Sequence, residues 1–395
     1  MKIMSINCGS SSLKFKLFEM PEEKIITEGQ FERIATVVRG VYTIKINGKK
    51  ETVGVDLNDH ATAVKILLND LIERKIISSY DEIKGVGHRV VQGGCYFNKS
   101  VLIDEDVKMK IKELIDLAPL HNYPNLVGIE AFEKVIKDVK QVAVFDTAFH
   151  QTMDEDAFMY AIPIEWYKNY QIRKYGAHGT SHKYVANEYA KFVNKDIKTL
   201  KIVTCHIGNG VSICAVKYGE SKDTSMGFTP LEGVPMGTRS GSVDPSIVSY
   251  ISKKENKTAS EVVNELNKNS GYLGMIKTSS DVREVTKGYL EGDENCILTS
   301  HIQEKRMADY IASYANYMEG IDAIVFTAGI GEHVYQVRER VVERLKFLGC
   351  VLDKEQNENG NGLFRISANN SKVDIVVIPT NEELVIARDA IELIK

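Results

Sequence analysis

The chain has 395 residues, 43% of them hydrophobic and 26% charged, a length and composition suited to two ordinary globular domains. Lys and Arg number 50 against 54 Asp and Glu, so a net charge of −4 gives no basis for nucleic acid or an anionic membrane as a partner. Six scattered cysteines without CxxC spacing argue against a disulfide framework, and with no leader-like start and no apolar run of spanning length the expected compartment is the cytoplasm.

The first element is a strand, a turn and a strand over residues 3–18, with NCGSSSLK at 7–14. Glycine and serine let the backbone approach a ligand and aim several N–H groups at an anion, and Lys14 adds a point charge. Residues 41–46 before Asn47-Gly48 read as part of an antiparallel meander. Helical periodicity follows at 61–74, then a strand running into 87–91, helices at 104–117 and 124–137, and a strand at 141–145 ending at Asp146. Residues 163–176 read as a change of unit, and a helix at 181–193 leads into a second strand, turn and strand at 202–216, with HIGNG at 206–210. Two such turns half a chain apart point to a duplicated domain closing on a phosphate. Beyond them come a long helix at 294–319, a strand at 323–327, the turn AGIGE at 328–332 and a helix to about 348. An exposed Gly/Asn-rich loop at 357–362, a strand at 373–378 and a last helix from 382 complete the pattern. No GxxxxGK[ST] is present, so the phosphate turns are not P-loops.

Several side chains carry chemistry beside a plainer reading. Arg89 in GHRVVQGG and Arg239 in GVPMGTRSGSVDP lie in glycine-rich segments, where a planar guanidinium suits carboxylate or phosphate oxygens better than it suits a solvated helix face. Asp146 follows a strand; it either caps the next turn or stands where open α/β sheets display catalytic groups. His178 and His182 have HxxxH spacing, but no HExxH glutamate accompanies them and Gly179 weakens a helix there, so a role for His178 as hydrogen-bond donor to a phosphoryl oxygen and a structural one for His182 are preferred to zinc. Glu382 and Glu383 either charge the start of the last helix or supply a magnesium ligand.

Taken in order, NCGSSSLK, HRVV, APLHN, FDTAFHQTM, YGAHGTSH, HIGNG, GFTPLEGVPMGTRSG, FTAGIGE and TNEEL resemble the acetokinase family across essentially the whole chain. The resemblance implies an α/β fold of two duplicated actin-like ATPase (ribonuclease H-like) domains with a cleft between them. It places one domain at 1–150, completed by a C-terminal helix at about 383–395, and the other at 151–382 with nucleotide-binding and dimerisation surfaces. It implies a homodimer and reversible magnesium-dependent transfer of the ATP γ-phosphate to acetate, giving acetyl phosphate and ADP, with manganese as an alternative metal.

Carried over by motif position, Asn7 and Glu382 hold metal, Lys14, Ser10 and Ser12 face phosphate, and Arg89 binds the carboxylate. Asp146, His178 and Arg239 are catalytic. His206, Ile207, Gly208, Asn209, Gly210, Asp281, Val282, Arg283, Gly329, Ile330, Gly331, Glu332 and His333 contact the nucleotide. Val91, Leu120, Ala177 and Pro230 line the acyl pocket. The chain departs from the family pattern at Gln92, Tyr123 and Ser242, where histidine, proline and aspartate are usual, and at Ala177, where the family has phenylalanine. That last change gives a propionate or other short-chain acyl kinase as the alternative. A non-kinase actin-like ATPase or chaperone would have no use for the arginine pair, and a sugar kinase would need a more polar pocket.

Overall fold

The computed structural model describes residues 1–119 and 121–395. They fall into two compact units, Met1–Phe149 with Asn381–Lys395, and His150–Thr380. The chain therefore changes unit at 149/150, ahead of the 163–176 segment.

In the first unit an antiparallel meander runs through β1 (Lys2–Gly9), β2 (Ser12–Glu19), β3 (Lys24–Glu32), β4 (Gly40–Ile46) and β5 (Lys49–Val55). After α1 (His60–Glu73) the chain returns as β6 (Ile83–Val90), β7 (Val101–Leu102), α2 (Glu105–Glu113), α3 (Asn122–Val135) and β8 (Lys140–Phe145). The sheet order is β5-β4-β3-β2-β1-β6-β8-β7, with β1, β6 and β8 parallel. β1 is central and buried on both faces, which is why Ile3, Met4 and Ile6 run together instead of alternating. The β5 edge is exposed and begins Lys49-Lys50, charges that discourage edge-to-edge pairing. Met4, Ile6, Leu13, Phe15, Leu67, Leu71 and Phe132 belong to the core beneath. The closing helix Glu382–Ile394 packs on β6 and β1. A Cβ at Gly87 would collide with Ile386, so the glycines of GVGHR serve close helix packing.

The second unit begins with α4 (Glu155–Phe158), α5 (Ile164–Tyr170) and α6 (Gly179–Phe192), then the meander β9 (Lys201–Ile207), β10 (Val211–Lys217) and β11 (Glu220–Thr224). Four helices follow, α7 (Ser246–Glu255), α8 (Ala259–Lys268), α9 (Gly271–Ile276) and α10 (Val282–Glu291), where the sequence analysis assigned none. The long helix α11 (Glu294–Tyr317) leads to β12 (Ala323–Thr327), α12 (Ala328–His333), α13 (Tyr335–Glu343), α14 (Lys354–Asn359), β13 (Phe364–Arg365) and β14 (Asp374–Val377). The AGIGE turn is thus a short helix. The loop expected at 357–362 begins inside α14, where Asn357 is buried.

The sheet order here is β11-β10-β9-β12-β14-β13, with β9, β12 and β14 parallel. Within the first sheet, β3-β2-β1-β6-β8 has the same order and strand directions as β11-β10-β9-β12-β14. One α/β topology occurs twice, the duplicated arrangement that the sequence resemblance implies.

Candidate active site

The first unit gathers its candidate residues at the carboxyl ends of β1, β6 and β8. Asn7 and Lys14 face each other across the β1–β2 hairpin, and Gly9 pairs with Ser12, which leaves Ser10 and Ser11 as the turn. Three buried side chains from helices hold this turn and its neighbour. His60 Nε2 lies 2.9 Å from the Gly9 carbonyl. Asn125 donates from Nδ2 to the Cys8 carbonyl at 2.8 Å and accepts from the Val91 N–H at 3.1 Å, tying the β1–β2 turn to the segment that follows Arg89. Asn122 bonds both the N–H and the carbonyl of Gln92 at 2.9 Å.

Arg89 and Asp146 form a bidentate pair. Arg89 donates from Nε at 3.0 Å to one Asp146 oxygen and from Nη2 at 2.6 Å to the other, and Glu382 Oε2 stands 3.9 Å from Nε. The Asp146 side chain is 0% exposed and Arg89 20%. Burial opposes the charge on Arg89, but Asp146 and Glu382 outweigh it and hold the guanidinium more firmly protonated than usual. Asp146 therefore engages a cation besides ending its strand. Asp146 and Glu382 thus bring two carboxylates to one guanidinium, and these with the Asn7 amide of the same unit are oxygen donors of the kind a hard divalent cation takes. Magnesium is characteristically held by one or two carboxylates plus substrate phosphates and water.

In the second unit the β9–β10 turn carries His206 to Gly210, with His206 opposite Ser212. His178 caps α6 in the left-handed region (φ 56°), a conformation uncommon outside glycine that recurs at functional sites. Its ring stacks on His206 at 4.1 Å. A Cβ built on Gly210 would lie 3.3 Å from His178 Nε2 and 3.7 Å from Arg239 Nη1, so glycine there leaves room beside both groups. The Arg239 turn is closed by Met236 N–H to Arg239 O at 2.9 Å and held from α9 by Tyr272 N–H to Met236 O at 2.9 Å. Among the described residues Arg239 has no carboxylate within 4 Å. Its half-buried guanidinium is pushed below the usual arginine range by burial.

Zinc does not suit the HxxxH pair. His182 is fully buried, both its ring nitrogens are engaged by Thr204 and Ser212, and burial holds it well below the ordinary imidazole value.

A groove of about 480 Å³ brings Arg283 and His333 together with Thr286, Lys287, Leu290 and Val334. Asp281 and Val282 stand at the start of α10, where Asp281 accepts from the Arg283 N–H at 2.8 Å and so has a capping role as well. Gly329 opens on empty space; Ile330 and Gly331 are buried. Glu332 accepts from the Thr380 N–H at 3.2 Å. Arg338, absent from the sequence reading, donates to the Gly331 and Glu332 carbonyls at 2.9 Å and braces α12 against Asn357. Burial lowers its value to about 10.

Of the acyl-pocket residues, Val91 is buried in the first unit. Pro230 is half-buried in the second, and Leu120 lies outside the described residues. Ala177 is 3% exposed within the buried cluster that also holds Ile207 and Val211. Tyr123 is 60% exposed, so its ring is spread toward solvent. The other two departures have structural partners. Gln92 accepts from the Gly94 N–H at 2.9 Å, and Ser242 Oγ accepts from the Gly233 N–H at 3.0 Å.

The acetokinase family model matches residues 2–388. An acetate kinase of Bacillus subtilis is 51% identical over 395 residues, covering 100% of both chains. The crystal structure of an acetate kinase from Porphyromonas gingivalis superposes with a TM-score of 0.94 at 41% identity, covering 100% of both chains. A propionate kinase from Francisella tularensis superposes with a TM-score of 0.94 at 43% identity, covering 99% of both.

Proposed function

We propose that this chain, which belongs to the acetokinase family, reversibly transfers the ATP γ-phosphoryl group to acetate, giving acetyl phosphate and ADP. The observation that carries this reading is Arg239. It is a half-buried cation without a carboxylate partner among the described residues, beside His178 at a glycine turn, and such a cation is set aside for an anionic ligand.

Phosphoryl transfer asks the protein for positioning and for neutralisation of charge on the transferring oxygens. In this reading Arg239 and the His178 Nε2 side supply that neutralisation. The turn at Ser10 to Ser12 with Lys14, and His206 to Gly210, cradle phosphates, while the Arg283 and His333 groove takes the nucleoside. Arg89 offers its remaining N–H groups to the acetate carboxylate. Acetate is already ionised at neutral pH, so Asp146 has no proton to abstract; bonded to Arg89, it orients that guanidinium. Magnesium, held through Asn7, Asp146 and Glu382, would neutralise charge on the nucleotide phosphates when bound.

Propionate is the second reading, favoured by alanine at 177. Exposed Ile164, Trp166, Tyr170, Ile247 and Tyr250 on the second unit support a homodimer, to be checked by light scattering. No helix among the described residues is long and apolar enough to cross a membrane, and a cytoplasmic location belongs to the same proposal.

The test is ADP release with acetate, propionate, butyrate and glucose, using ATP and then pyrophosphate as donor. Acetate with ATP is expected to give the highest kcat/KM, propionate coming next. Glucose turnover, or pyrophosphate matching ATP, would refute the reading.

A further inference from the structure

Behind His178 lies a line of buried hydrogen bonds that the transfer chemistry alone does not call for. Thr204 Oγ1 is 2.7 Å from His182 Nδ1, His182 Nε2 is 2.7 Å from Ser212 Oγ, and Ser212 Oγ is 2.9 Å from His178 Nδ1. Thr204, His182 and Ser212 are each 0% exposed.

Proton counting gives this line a direction. The Thr204 hydroxyl has one hydrogen, and its side-chain partners among the described residues are His182 Nδ1 and the Cys214 thiol, a much weaker acceptor than an imidazole nitrogen. A buried hydroxyl without an acceptor is unfavourable by ~1–3 kcal/mol, so Thr204 donates to Nδ1. His182, neutral in this interior, then carries its hydrogen on Nε2 and donates to Ser212. The Ser212 oxygen has accepted on that side, so its own hydrogen goes to His178 Nδ1. A neutral His178 is left with its hydrogen on Nε2, the nitrogen on the Gly210 and Arg239 side.

We infer that Thr204, His182 and Ser212 are positioning residues which hold His178 in the Nε2–H tautomer, so that His178 donates a hydrogen bond without becoming an imidazolium. The inference rests on reading His178 as a donor to the transferring phosphoryl group. Its sense is reasonable beside a cation. Protonating His178 at Nδ1 would turn two N–H groups on the Ser212 oxygen, and the titratable and charged groups that face the ring among the described residues include Arg239, His206 stacked at 4.1 Å, and His182 with His150 behind it. A neutral donor avoids adding a second positive charge next to Arg239.

The experiment is nitrogen-15 NMR of the full chain with labelled histidine, assigned with His178→Gln and His182→Gln, about one pH unit above the ordinary imidazole value. Unprotonated Nδ1 and protonated Nε2 are expected for both rings; a protonated Nδ1 on either overturns the inference. Thr204→Val removes the donor that sets the direction and should give mixed tautomers in both rings, and unchanged tautomers there also overturn it. Ser212→Ala should raise the pH at which His178 protonates and lower kcat about tenfold with KM unchanged, the scale of loss seen when an orienting partner is removed. An unmoved titration counts against the inference. His178→Ala separates the two claims. If it keeps full activity, the donor role falls and the inference, which rests on it, falls too. If it loses activity while the parent shows a protonated Nδ1, the relay alone is refuted.

Discussion

Arg89 and Arg239 are proposed for the same reaction, yet their removal should affect stability in opposite ways. Arg89→Met takes from Asp146 the only cation that pairs with it among the described residues, and Asp146 is a carboxylate with no exposed side-chain surface that was held at 2.6 and 3.0 Å. Stranding a buried charge in this way is unfavourable by ~3–5 kcal/mol. For a domain of this size each kcal/mol shifts melting by ~2–4 °C, so the first unit should melt ~6–20 °C lower. Arg239→Met removes a cation whose charge burial already opposes and which has no carboxylate to strand, so the second unit should melt unchanged or slightly higher. Both variants should lose ~10²–10³ in kcat/KM, the effect of deleting one charge-stabilising donor in a preorganised site. Scanning calorimetry beside steady-state kinetics measures both quantities. The double variant Arg89→Met with Asp146→Asn should recover most of the melting temperature and none of the activity. Equal destabilisation by the two single variants, or a wild-type melt for Arg89→Met, would refute the assignment of one paired and one reserved arginine.

Buried neutral histidines predict acid sensitivity. Burial lowers His88 to about 4 and His182 in the same direction, so the unfolded chain takes up protons below about pH 6.5 that the folded chain refuses. Stability should therefore fall as the pH drops from 6.5 toward 4, by ~3 kcal/mol from His88. Denaturant midpoints across that range measure it, and His88→Asn should flatten the decline; a slope unaltered by the variant removes His88 as the cause. Asn125→Leu should leave the Cys8 carbonyl and the Val91 N–H unbonded, at ~1–3 kcal/mol each, and lower kcat more than KM; unchanged kcat would show that this brace does not position the phosphate turn. Ala177→Phe puts a ring into an occupied core and should destabilise by ~1–3 kcal/mol. If residue 177 limits acyl size, the propionate-to-acetate ratio of kcat/KM should also fall roughly fourfold, the value of one buried methylene, and an unchanged ratio excludes that role.

What could be read in the sequence was whatever a local pattern signals. Each of the two hairpins has its apolar strands and its small polar turn within eighteen residues, and each half of the chain repeats strand, turn and helix in the same order, so fold class and the two turns follow from neighbours along the chain. The helices over 246–291 escaped because each is only six to ten residues long and the four follow one another with little between them, although α8 and α10 do carry an amphipathic pattern. The braces escaped for a different reason. Asn125 reaches back 117 residues to Cys8, His60 reaches back 51 to Gly9, and Arg338 meets Asn357 19 residues further on; each is an ordinary polar residue until the fold supplies its partner. Ser212 is the sharpest case, a lone hydroxyl in the apolar run VSICAV that would pass for a tolerated substitution. Its meaning comes from the two imidazoles it separates. A sequence motif names the groups that meet the substrate, whereas the protonation state in which they meet it is set by buried partners whose identity only three-dimensional contact reveals.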